Sequence, residues 1–136
     1  MIARTGALVS ALVCLAATGQ AQDSRHASAS DCAVFGAVLA GKAYEMFSSA
    51  YGADCNWKAM GLDVKVVPPP EGKYFEGIKT SLTPPSYSED GMKATFEESV
   101  GGSASAVSYF YAGYTCTAEK RDGQWHSNGC RMRYIT

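Results

Sequence analysis

Histidine, net charge and long apolar runs are all scarce in this chain, and each shortage removes a class of function. Only His26 and His126 stand among 136 residues, so histidine cages for metals and histidine proton relays have little to build on. Lys and Arg number 12 against 13 Asp and Glu, which is no electrostatic footprint for nucleic acid or for an anionic membrane. The apolar run Ala7 to Ala17 is too short to span a bilayer, which takes about 20 residues. No phosphate-cradling glycine loop and no Gly-x-Ser-x-Gly elbow occurs, and Asp90-Gly91 lacks the alternating acids of a calcium loop. The expectation is no cofactor, no metal and no assigned catalytic residue.

The short apolar run has a different use. Arg4 precedes it and Gly19-Gln20-Ala21 follows it as a small-x-small cleavage site, so residues 1–21 read as a signal peptide and the mature chain as periplasmic or secreted. Cys14 leaves with that segment. Cys32, Cys55, Cys116 and Cys130 remain, an even number in an exported chain, which points to two disulfides. Zinc is the competitor, but no two cysteines show close ligand spacing. Residues 22–30 are small and polar, a disordered leader to a single domain over 31–136.

The best-specified stretch runs from Ser105 to Thr136. Asp122-Gly123 sits between two strand-like runs, and such a pair tolerates the positive φ of a tight hairpin loop. With that loop, Lys120 faces Trp125 and Cys116 falls opposite Gly129, one residue short of Cys130. A bulge at Asn128-Gly129 repairs the offset, because glycine takes the left-handed conformation at little cost. Phe110, Ala112, Tyr114, Cys116 and Ala118 then share a core face with Trp125, Cys130, Met132 and Tyr134, while Tyr109, Tyr111, Arg131 and Arg133 share the other.

Ser30 or Asp31 can cap a helix, and apolar residues recur at helical spacing from Phe35 through Met46 and Phe47 to Tyr51. Gly41 is its weak point. A straight helix from Cys32 to Tyr51 would span about 28 Å, and the four residues to Cys55 retrace only about 14 Å. Either the helix breaks at Gly41 and folds back, allowing Cys32 to meet Cys55, or Cys55 has another partner. Leu62 to Val67 reads as a strand ended by three prolines, Tyr74 to Thr83 as a strand interrupted at Gly77, and Met92 to Val100 as a strand before a Gly101-Gly102 turn. A helix followed by an antiparallel meander is an α+β pattern.

Two turn segments carry a resemblance. Ser86-Tyr87-Ser88-Glu89-Asp90-Gly91-Met92-Lys93-Ala94 resembles an S-x-x-D-G-x-x-A strand entry, and Lys120-Arg121-Asp122-Gly123-Gln124-Trp125 a K-x-D-G-x-W hairpin, of small exported bacterial proteins of unknown function. The helix-then-meander order is similar to cystatin-like and NTF2-like folds, which implies a helix packed on a curved sheet.

For function, His126 reads as a solvated strand residue beside Trp125, and neighbours Glu97 and Glu98 point to opposite faces and cannot act as a pair. Asp54 and Asp63, in a loop-rich stretch around Trp57, read as solvated acids. What remains is a surface of Tyr109, Tyr111, Arg131 and Arg133, residue types enriched where proteins grip partners. The reading is a non-catalytic exported module that binds a protein or small ligand, inhibitor-like roles included. The alternative is a small cystatin-like or NTF2-like enzyme with a pocket between helix and sheet, which a deep pocket lined by His126, Asp54 or Asp63 would favour.

Overall fold

The computed structural model describes residues 26–72, 75–105 and 108–136. The signal peptide expected over 1–21 lies outside them. Helix α1 runs Ala29–Val38, and Ser28 caps it by accepting a hydrogen bond from the Asp31 backbone N–H. The cap is therefore Ser28 rather than Ser30 or Asp31, and Ala29 and Ser30 lie in the first turn of α1.

Helix periodicity does not continue past Gly41, which takes φ +84° and turns the chain. Ala43–Phe47 forms strand β1, paired in parallel with β2, Asp63–Val67. Helical and alternating patterns coincide over so short a run, since Tyr44 and Met46 alternate while Ala43, Met46 and Phe47 sit at helical spacing. The β-branched partners Val64, Val66 and Val67 tip the balance to strand. With the helix broken, the chain folds back and Cys32 is bonded to Cys55.

The remaining strands form one antiparallel sheet: β3 Gly77–Leu82, β4 Ser86–Tyr87, β5 Lys93–Ser105, β6 Ser108–Arg121 and β7 Gln124–Ile135. Their order is β3-β5-β6-β7, with β4 also paired to β5. Helix α1 packs against β6 and β7, and β1 runs against β3. The fold is α+β, a helix on a mostly antiparallel sheet, and the parallel β1–β2 pair is its departure from a pure meander.

Gly101 and Gly102 do not turn the chain; both are buried inside β5. The physical reason is close approach. A Cβ on Gly101 would lie 2.7 Å from the Tyr111 ring, and one on Gly102 would lie 2.0 Å from the Gly77 carbonyl oxygen. Tyr74 lies outside the described residues, and β3 starts at Gly77, where φ is +80°.

The core gathers Val34 and Phe35 of α1, Leu39 at its C-cap, Met46 of β1, Cys55 and Trp57 of the β1–β2 connection, and Phe96, Cys116 and Ala118 of the sheet. Phe35 is at its centre, edge-on to Phe96 with centroids 4.9 Å apart.

Candidate functional site

The last hairpin places the surface residues, and its register can be followed pair by pair. Lys120 pairs with Trp125 across Asp122-Gly123, both of which take positive φ. Thr117 pairs with Gly129 and Ala118 with Ser127, so Asn128 is the extra residue, and Gly129 adopts φ +94°. Cys116 then faces Cys130 directly and the two are bonded, with Cα atoms 4.1 Å apart.

A second irregularity follows. Tyr114 pairs with Met132 but Gly113 with Tyr134, so Arg133 is bulged and Tyr134 turns to the face opposite the core. There its ring lies over Gly113, where an added Cβ would come within 2.5 Å of it, and stacks on Tyr111 at 5.7 Å. Tyr134 is thus not a core residue. Met132 and Cys130 keep the inner parity but are exposed on the edge strand, while Ala112, Cys116 and Ala118 are fully buried. Trp125 is half-buried, packed on the core cluster beside Tyr87 at 5.9 Å, with the Lys120 ammonium 5.8 Å over its ring.

On the outer face, Tyr111 and Tyr134 are 43% and 42% exposed. Arg131 and Arg133, both exposed, border an open hollow of 630 Å³ floored by Thr115 and Thr117. Arg133 is ion-paired to Glu97 of β5. The structure brings Tyr111, Arg131 and Arg133 to one face; the side chain of Tyr109 lies outside the described residues. Nearer β3, Tyr111 also closes a smaller apolar hollow of 260 Å³ with Phe47, Phe75 and Lys79. Lys79 is buried, its Nζ 3.0 Å from Glu45, 2.9 Å from the Glu76 carbonyl, and over the Phe47 and Phe75 rings.

The inner face holds a group that sequence reasoning missed. Glu98 is only 7% exposed, beside a 420 Å³ hollow lined also by Lys42, Tyr44, Tyr114 and Cys130. Burial raises its carboxyl pKa above the ordinary range, and the charge of Lys42 only partly opposes this. Tyr44 is pushed up to about 12, by burial first and by the Glu98 charge second. The signal was available: Glu98 shares parity with Phe96 and Val100, the core-facing positions of β5.

A second buried acid is structural. Asp31, in the first turn of α1, accepts hydrogen bonds from the hydroxyls of Tyr51 and Tyr87. Burial and then these bonds raise both phenols, Tyr87 to about 12. Asp54 accepts from or pairs with His26 Nδ1 at 2.9 Å, beside a shallow 320 Å³ hollow near the start of α1. Burial pushes its pKa up, but the His26 hydrogen bond and that from Ala27 N outweigh this and hold it below the usual value. His126 is exposed, across from Glu119, and neither it nor Asp63 lines any of these four hollows.

Among the described residues, one group of His, Cys, Asp or Glu ligand atoms lies close enough to hold a metal: Glu98, Cys116 and Cys130. Its two sulfurs are bonded to each other, which removes the thiolates such a site needs.

No protein-family model and no curated protein matches the sequence. A solved structure, the provisionally named scytalone dehydratase of Novosphingobium aromaticivorans DSM 12444, matches at 21% identity over 64% of this chain and 58% of that one, with a TM-score of 0.29. So loose a superposition carries no argument for fold family or activity. The Ser86 to Ala94 segment is accounted for by its own turn chemistry: Asp90 accepts from Ser88 Oγ and from Met92 N, and Gly91 takes φ +71°.

Proposed function

We propose that the protein is an exported, non-catalytic binding module that grips a protein or small ligand through the outer face of β6 and β7. The observation that carries this reading is the stacked Tyr111–Tyr134 pair, nearly half exposed, next to the Arg131 and Arg133 hollow. Stacked rings present large apolar area with little rotamer entropy left to lose, and guanidinium groups beside them supply directed donors. Disulfide bonding fits an oxidising compartment, periplasmic or secreted. Among the described residues no helix is long and apolar enough to cross a membrane. The charge balance still argues against nucleic acid.

The competing reading is a small enzyme working in the inner hollow, and Glu98 is the observation that favours it. The two separate experimentally. Tyr111→Ala with Arg131→Ala should leave thermal unfolding nearly unchanged and weaken capture of a partner from cell-envelope extracts by about 2 kcal/mol or more. Arg131 is chosen because Arg133 already has Glu97 as its partner. If the double variant keeps the partner while Glu98→Gln abolishes turnover of a substrate other than a thiol or disulfide, the enzyme reading stands and the surface reading falls.

A further inference from the structure

The bridge between β6 and β7 joins two cysteines in unequal surroundings. Cys116, on a central strand, is wholly buried; Cys130, on the edge strand, is exposed and borders both the inner and the outer hollow. Glu98 Oε2 lies 3.8 Å from the Cys116 sulfur and 3.9 Å from the Cys130 sulfur. Bonded sulfurs carry no hydrogen and donate nothing to that oxygen. A proton held by the carboxyl is what would face them. Around Cys32–Cys55, by contrast, no carboxylate oxygen among the described residues joins both sulfurs in such a cluster.

We propose that Cys116–Cys130 is a thiol–disulfide exchange site, in which an external thiolate attacks the sulfur of the exposed residue Cys130 and Glu98 acts as the acid for Cys116. The attacking sulfur forms a bond to Cys130 Sγ, and the Cys116–Cys130 bond breaks with its electron pair on Cys116 Sγ. That sulfur takes the proton of the Glu98 carboxyl, leaving a buried carboxylate and a mixed disulfide at Cys130. A second thiolate attacks the external sulfur of the mixed disulfide and releases Cys130 as a thiol once protonated by solvent. Two external thiols become one disulfide, and the protein bond is reduced by two electrons. In reverse, the Glu98 carboxylate takes the Cys116 proton as that sulfur attacks.

The direction of attack follows from access and from the leaving group. Cys130, exposed on an edge strand and bordering two open hollows, is the more reachable of the two, and a thiolate expelled into a buried site leaves readily only where a proton meets it. Burial raises the Glu98 carboxyl above its ordinary range, the direction that favours holding that proton. Lys42 and Tyr44 from the β1 side and Tyr114 of β6 are the other charged or titratable groups lining this hollow, so Lys42 is the one that draws the proton away. This site lies on the inner face and does not depend on the binding reading of the outer one.

Glutathione is the probe. Native wild-type protein in glutathione mixtures should acquire the adduct on Cys130, with Cys32–Cys55 intact by peptide mapping and the far-UV circular dichroism unchanged. Glu98→Gln should slow exchange by about 10²-fold, the scale of a lost general acid, and flatten its pH dependence, whereas Lys42→Ala should shift that dependence upward. An adduct on Cys116, opening of Cys32–Cys55 first, or a native bridge inert to glutathione overturns the proposal, and these outcomes need no variant to fold. A folded Glu98→Gln variant exchanging at the wild-type rate overturns the role of Glu98.

Discussion

At the scale of single residues, the two buried acids have different partners, phenol hydroxyls for Asp31 and a disulfide for Glu98. Asp31 accepts from two hydroxyls, and each hydrogen bond to a carboxylate contributes about 1.5 kcal/mol or more. Asp31→Ala should therefore lower stability by about 3 kcal/mol, visible as a lower urea midpoint at unchanged slope. Tyr87 titrates near 10.0 when unfolded and at about 12 when folded. Its neutral form is the one the fold favours, so its contribution is complete below pH 10.0 and is lost as pH climbs to about 12. Absorbance of the phenolate during alkaline titration should rise together with loss of ellipticity. Glu98 follows the same sign at the acidic end: its folded pKa is raised, so its protonated form is favoured by burial, full stability is present below pH 4.5, and stability falls as pH rises through the folded value. Glu98→Gln should then melt higher than wild type at neutral pH and about equally at pH 4. Equal melting temperatures at neutral pH would show that the carboxylate is better solvated than its burial implies.

At the scale of elements, the instructive position is Gly41. A continuous helix would make Gly41→Ala stabilising by about 1 kcal/mol through helix propensity. In the structure Gly41 takes φ +84° with open space around it, so the same change should destabilise by about 1 kcal/mol from backbone strain alone. The sign of one urea shift distinguishes the two. The hairpin is the opposite case. Asp122-Gly123, the extra Asn128 and Gly129 could be placed in advance because turn chemistry and the two cysteines constrain each other over 14 residues. Its far end could not. The Arg133 bulge has no glycine to announce it, and it exists because the Tyr134 ring finds a bed on Gly113 against Tyr111. Trp125 is half-exposed for a related reason: its parity is inward, but its strand is at the edge of the sheet and is covered on one side only.

At the scale of the whole molecule, two covalent ties support a thin core. Cys32–Cys55 holds α1 against the connection that contains Trp57, and Cys116–Cys130 joins neighbouring strands. By chain entropy each contributes about 3 kcal/mol, and a small domain has only about 5 to 15 kcal/mol in total. Replacing all four cysteines with serine should leave the domain largely unfolded at neutral pH by circular dichroism. Retention of native ellipticity would place the stability in the aromatic core instead. What the sequence by itself determined was local or covalent: the α+β class, the hairpin turn, its first bulge, the Cys116–Cys130 pair and the opposite facing of Glu97 and Glu98, since period, glycine and cysteine act over short separations. Only the tertiary structure decided that the chain after Gly41 is a strand, that Gly101 and Gly102 run straight, that Tyr134 faces outward and that Glu98 lies against the disulfide. Each of these depends on what a distant segment places opposite: Val64 and Val66 beside β1, Gly77 over Gly102, Tyr111 beneath Tyr134, and β1 with α1 closing the hollow over Glu98.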